Sequence, residues 1–398
     1  MISSLLQPEV QQFILEHEND DEKNLILKHR TIHGVPSSAI AEQIIGRRKA
    51  KAKLPLYYVT PGIIYPPGLN LEQSSSQETA VFKANTLHSI VGPDKTLADL
   101  TGGLGIDSLF FSRTFNKVCY IEPNSRLLSV AQHNHEILQA KNIDYYNSTA
   151  TDFLKSLREK VGCVFIDPSR RSNSNQKVFR LSDCEPNVLE LVEEVFQKTD
   201  FLLIKTAPLL DILQGAKELK NVEKVWVVSV NNECKELLFL CRKDFEGEPV
   251  IVAINLQTDQ PELEFKLSEE KETTATFSEP LTYLYEPNAS VLKAGAFKLV
   301  SEKFLVLKLH PSTHLYTSDN LIKNFPGRIF KIIKPVKADP KSLKEFFTEG
   351  NANVITRNYS LTPEELKKKT KLKDGGEHYL VGFSGQKEKY LVAAKRLK

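Results

Sequence analysis

The sequence contains no apolar run near the roughly 18 to 20 residues that a membrane span requires. Its first stretch, MISSLLQPEVQQFILEHENDDEKN, turns acidic too early for a secretory signal. Both absences point to a cytoplasmic protein. The five cysteines, Cys119, Cys163, Cys184, Cys234 and Cys241, are odd in number, sit mostly in apolar runs and never follow CxxC spacing. That argues against disulfides and against zinc. Nor do the nine histidines form a metal constellation. His133 and His135 stand two apart on a predicted helix and face different ways, while His29, His33 and His88 are scattered. No metal is expected, and no internal repeat is found.

What is present is ordinary globular composition: 41% hydrophobic and 26% charged residues, with 18 Gly and 20 Pro, and a mean hydropathy of -0.29. Collagen-like, low-complexity and wholly disordered classes are excluded. At roughly 100 to 200 residues per domain, 398 residues imply two to four domains. Charge is uneven. From Lys331 to Lys398, 16 Lys and Arg stand against 8 Asp and Glu, so this segment carries +8 and the first 330 residues carry -5. A second basic cluster, GRRKAKAK, runs from Gly46 to Lys53. Basic regions with aromatics nearby suit a polyanion such as RNA; the plain alternative is a solvated lysine surface.

The periodicity up to about Arg48 predicts helices, PEVQQFILEH and SSAIAEQIIGRR. LPLYYVTPGIIYPPGLN reads as a loop, and EQSSSQETAVFKANTLHSIV as a helix with a serine-rich start. From Thr96 to about Lys243 short apolar runs alternate with helical segments, which predicts a parallel sheet. VEKVWVVSV and ELLFLCR are separated only by NNECK, too short for a crossover, so the last strand must run antiparallel. A small α+β unit follows, with a helix near SVLKAGAFKLV. From GRIFKIIKPV the order reads βαβαββ, with helices at KSLKEFFTEG and TPEELKKKTKL, ferredoxin-like in outline.

The chemistry concentrates at strand ends. Asp99-Leu100-Thr101-Gly102-Gly103-Leu104-Gly105-Ile106-Asp107 places glycines between a strand and a helix, where backbone approaches a ligand and free N-H groups are presented. The run lacks the third glycine of GxGxxG. Glu122 ends the next strand about 20 residues on, where an acid accepts hydrogen bonds from ribose hydroxyls. Asp152 is expected to close the third β segment in TATDFL; followed by Phe153, it suits an adenine. The fourth strand ends in Asp167-Pro168-Ser169-Arg170-Arg171, whose arginines suit phosphate or a stacked base. No cysteine nucleophile for attack on a pyrimidine ring accompanies Ile204-Lys205-Thr206-Ala207-Pro208.

This spacing resembles class I S-adenosylmethionine-dependent methyltransferases over about residues 72 to 243. The resemblance implies a Rossmann-like α/β sheet and S-adenosylmethionine as cofactor. The first motif supplies Asp99, Thr101, Gly102, Gly103, Gly105 and Asp107, Glu122 is the ribose acid, and Asp152 and Phe153 lie on the adenine side. The DPSRR run is similar to the D/N-P-P-Y/F/R motif of nucleic-acid methyltransferases. That likeness implies Asp167, Pro168, Ser169 and Arg170 as acceptor-side residues, although Ser169 replaces the second proline and Arg170 the aromatic.

GRRKAKAKLP, LEQSSSQETAVFKA, IKTAPLLDI and the basic C-terminal part resemble bacterial methyltransferases with a THUMP-like domain. This implies an RNA substrate, rRNA or tRNA, contacted by Arg171, Lys367, Lys369 and Lys371. The expected divisions are a helical region at 1–71, the methyltransferase domain at 72–245, a small ferredoxin-like α+β domain at 246–325 and a basic THUMP-like domain at 326–398. Two alternatives stand beside it: an NAD-dependent Rossmann oxidoreductase, since Glu122 suits either ribose, and a non-catalytic RNA-binding protein.

Overall fold

The computed structural model describes residues 2–66, 68–170 and 180–397. It divides into two compact units, Met1–Glu223 with Leu238–Gly247, and Lys224–Leu237 with Glu248–Lys398. Among the described residues no helix is long and apolar enough to cross a membrane.

The first unit opens with a helical turn, Ile2–Leu5, and the helices Pro8–Glu16, Glu22–Lys28 and Ser37–Lys53; the last buries Ile40 and Ile44 completely. The tract read as a loop contains a short helix, Pro55–Val59. The expectation fails there because Pro55 sits in the first turn, where a missing N-H breaks no helical bond. Two amide side chains then fix the backbone at Ile64 and Tyr65. Gln43 bonds the N-H and the C=O of Tyr65, both at 2.8 Å, and Asn134 bonds those of Ile64, both at 2.9 Å. The helical region is thereby tied to the helix Ser125–Ile137.

Five parallel strands follow: β1 (Thr96–Asp99), β2 (Lys117–Ile121), β3 (Ile143–Tyr146), β4 (Cys163–Ile166) and β5 (Phe201–Thr206). Their order is β5-β4-β1-β2-β3. The central strands are apolar with little alternation, as strands covered on both faces are; β4 is buried at every position.

β6 (Val222–Val230) turns into β7 (Glu233–Arg242) through Asn231 and Asn232, at φ 49° and 68°. Two residues with positive φ make the tight turn that joins antiparallel neighbours, as expected from the short linker. β8 (Val250–Leu256) runs parallel to β6, and β9 (Leu263–Lys266) antiparallel to β8.

The remaining strands of the second unit are β10 (Tyr283–Pro287), β11 (Leu307–His310), β12 (Thr313–Ser318), β13 (Gly327–Pro335), β14 (Asn353–Arg357), β15 (His378–Ser384) and β16 (Lys389–Arg396). They form one sheet ordered β11-β12-β10-β13-β16-β15-β14. The βαβαββ order from β13 onward is as expected. β12 was not anticipated. The helix at SVLKAGAFKLV is two, Ala289–Ala294 and Leu299–Lys303, because Gly295 ends the first at φ 80°. KSLKEFFTEG holds only the helical turn Pro340–Leu343, capped by Asp339.

Candidate active site

The loop after β1 is built by its glycines. Gly102 donates its N-H to Ile121 O at 2.8 Å, and a Cβ there would lie 2.3 Å from the Tyr120 ring. Gly105 has φ 79°, and a Cβ on it would lie 2.6 Å from His135 Nε2. That imidazole donates from Nε2 to Gly105 O at 2.8 Å and leaves Nδ1 to accept from Tyr145 Oη at 2.9 Å. Burial pulls His135 down to about 4, so the ring is neutral and the tautomer follows from the carbonyl.

Glu122 reaches across from the end of β2. Its Oε2 accepts the Gly103 N-H at 2.9 Å and its Oε1 the Asn124 N-H at 2.8 Å. Each oxygen retains lone-pair capacity for a further donor. Asp99 lies beneath the loop, 1% exposed, accepting from Ser108 Oγ at 2.6 Å and Thr101 N at 3.1 Å. Burial pushes its carboxyl up to about 7. Asp107, in the first turn of the helix Ile106–Phe111, accepts from Ser75 Oγ at 2.7 Å and pairs with the fully buried Lys83 at 3.2 Å.

These elements border a cavity of about 410 Å³ lined by Thr101, the three glycines, Asp107, Glu122, Thr149–Thr151, Asp167, Ser169, Glu185 and Pro186, with Ser74 and Ser75 at one side. The size falls in the range of small-molecule sites. Four carboxylates line it, and no Lys or Arg does among the described residues. Open backbone at Gly103 and a carboxylate at Glu122 with acceptor capacity to spare could hold an adenosyl cofactor. A larger cavity, about 580 Å³, lies between the amino-terminal helices and Asn124–Val130; it shares Leu127 with the first but lacks the glycine loop and strand-end acids.

The third-strand expectation is corrected: β3 ends at Tyr146, and TATDFL begins the helix Ala150–Ser156, capped by Thr149 Oγ1. Asp152 therefore sits exposed in a first helical turn, accepting from Thr149 Oγ1 at 2.7 Å. Phe153 is buried against Tyr146, with ring centroids 4.8 Å apart. Neither borders the cavity; Thr149, Ala150 and Thr151 do.

At β4, Thr101 Oγ1 accepts the Asp167 N-H at 2.6 Å, and Asp167 Oδ2 is ion-paired with Lys205. Pro168 is buried and Ser169 exposed. The side chain of Arg170 and the whole of Arg171 lie outside the described residues. Sequence reasoning missed Ser75, Lys83, Glu185 and Lys205 as site residues, because they stand far along the chain from the acids they meet or the cavity they border. Lys369 and Lys371 are exposed, whereas Lys367 pairs with Asp374 at 3.0 Å.

Residues 283–326 match a family described as a ferredoxin-like domain, and residues 327–396 one described as THUMP domain-like. No curated protein matches the sequence. Among solved structures, one of a putative methyltransferase from Porphyromonas gingivalis W83 is 29% identical over 98% of this chain and 97% of its own, with a TM-score of 0.85. A second such protein, from Streptococcus mutans in complex with SAH, and a rRNA methylase from Streptococcus thermophilus are each 16% identical. Each covers 40% of this chain and 94% of its own at a TM-score of 0.31. With a glycine loop, strand-end acids and a hairpin-closed parallel sheet ahead of the two matched segments, the chain is a class I methyltransferase in fold with C-terminal ferredoxin-like and THUMP-like domains.

Proposed function

We propose that this protein is a cytoplasmic S-adenosylmethionine-dependent methyltransferase that modifies a nucleobase of structured RNA, rRNA or tRNA. The observation that carries the cofactor is the charge of the cavity: Glu122 and Glu185 line it beside Asp107 and Asp167, which are paired with Lys83 and Lys205, and no basic residue among those described lines it. A sulfonium cation is stabilised there, whereas the diphosphate of NAD would meet carboxylates at the helix start that dinucleotide sites leave open to phosphate. When bound, the cofactor supplies an electrophilic methyl group.

Gly103, Gly105 and Glu122 hold the nucleoside, with Thr101, Gly102 and the buried Asp99 shaping the loop and Asp107 on the amino-acid side. The adenine end falls to the Thr149–Thr151 turn, beside Asp152 and Phe153. Asp167, the Pro168 carbonyl, Ser169 and Arg170 hold the acceptor, which must present a lone pair in line with the methyl group. Arg171, Lys367, Lys369 and Lys371 contact the RNA. The four segments 1–71, 72–245, 246–325 and 326–398 divide these tasks.

Calorimetry with S-adenosylmethionine, its demethylated product and NAD tests the cofactor: the first two bind and NAD does not. Mass spectrometry of RNA nucleosides from a deletion strain then tests the substrate. A complete set of modifications in that strain would overturn the RNA assignment.

A further inference from the structure

We propose that Lys205 is a positioning residue for the methyl acceptor, acting through Asp167; this rests on the methyltransferase reading above. The pair follows from register. β4 and β5 are parallel with Val164 opposite Leu202 and Ile166 opposite Ile204, so the next step along both strands sets Asp167 beside Lys205. The Lys205 ammonium takes Asp167 Oδ2, with side chains 12% and 27% exposed. The Asp167 backbone is held from the other neighbour, β1, by Thr101 Oγ1 at 2.6 Å. Oδ1 is left without a protein partner among the described residues, on a side chain that lines the cavity.

A purely structural role accounts for little of this. The two strands are already joined by their backbones up to Ile166 and Ile204, so the pair is not needed to set their register. The surroundings supply a reason for the cation. Glu122 lines the same cavity, and its repulsion favours turning an uncompensated Asp167 away from it. Lys205 offsets that field and leaves one oxygen for the acceptor.

As a carboxylate paired to an ammonium, Asp167 only accepts hydrogen bonds. The group it holds must therefore donate a hydrogen bond, as an exocyclic base amine does and an unprotonated ring nitrogen does not. In the transfer the amine lone pair forms the N-C bond while the S-C bond breaks, its electron pair staying on sulfur. The proton shed by the nitrogen passes to Asp167 Oδ1 and on to solvent.

The test compares Lys205→Met and Lys205→Arg with wild type, using methyl-tritiated S-adenosylmethionine and total RNA from a deletion strain. We expect Lys205→Met to lower kcat at least about 10-fold, while RNA KM and affinity for S-adenosylhomocysteine stay within about twofold. Lys205→Arg recovers part of the loss. In an Asp167→Ala background Lys205→Met adds nothing, because the effect runs through that carboxylate. Unchanged kcat, a raised KM at full kcat, or losses that multiply in the double variant would each overturn the proposal. Should Lys205→Met not fold, Lys205→Gln gives the same comparison, and full kcat in it overturns the proposal equally. Wild type that neither binds S-adenosylhomocysteine nor labels this RNA sinks the methyltransferase reading itself, before any variant is compared.

Discussion

Two acids with opposite surroundings stand at the proposed cofactor site. Glu122 accepts backbone N-H groups from both loops it bridges, so on the proposed reading its replacement removes a ribose acceptor and loosens the glycine loop together. Glu122→Ala should weaken S-adenosylmethionine binding by roughly 1.5 to 3 kcal/mol, the range for hydrogen bonds to a charged group. Unchanged affinity in calorimetry would take Glu122 out of the site. Asp99 behaves differently. Burial first, then the charges of Asp107 and Asp167, raise its carboxyl to about 7 against opposing bonds from Ser108 and Thr101. An unfolded Asp ionises near 3.9, so between these values the native state keeps a proton that the unfolded chain has lost. The stability this adds is complete below about pH 4 and is lost as pH rises to about 7. Asp99→Asn carries no such slope. Its urea midpoint should therefore rise relative to wild type from about pH 5 to about pH 8; parallel curves would mean that Asp99 is ionised in the fold.

At the scale of elements, the turn from β1 into Ile106–Phe111 does most to shape the site. Gly105→Ala forces a Cβ into left-handed backbone, at about 1 to 2 kcal/mol, and against His135 2.6 Å away. We expect a lower melting temperature and loss of the rise that S-adenosylhomocysteine gives wild type. A retained ligand-induced rise would separate this loop from the cofactor. The loop was legible in the sequence because glycine clusters between an apolar run and a helical one have few other uses. The hairpin of β6 and β7 was legible from linker length. TATDFL was not: Thr149 caps a helix there, and a threonine before a short apolar run reads equally as strand. The break at Gly295 and the strand β12 were hidden for the same reason, since short segments carry too little periodicity to separate helix from strand. Lys83 and Lys205 were invisible as site residues because their partners, Asp107 and Asp167, are 24 and 38 positions away and meet them only through packing.

For the whole molecule, the excess of positive charge beyond Lys331 acquires meaning from where the lysines stand. The helix Pro363–Thr370 is fixed by a capping box, with Thr362 and Glu365 bonding each other's backbone N-H. Lys368, Lys369, Lys371 and Lys373 are exposed on or just beyond it. Lys367 is not equivalent, since its ammonium lies 3.0 Å from both carboxylate oxygens of Asp374. If this face binds RNA phosphates, log affinity falls with log salt at roughly -0.7 per phosphate for single strands. Replacing Lys367, Lys369 and Lys371 by Gln should flatten the slope by about 1.4, the share of two lysines rather than three, and Lys367→Gln alone should change it little. Affinity for S-adenosylmethionine should be untouched, because none of these lysines borders the cavity of Glu122 and Asp167. Filter binding at several salt concentrations reads both effects. A lysine surface kept only for solubility predicts the same slope and the same RNA affinity in all three proteins, and that result would leave the THUMP-like segment without an RNA role.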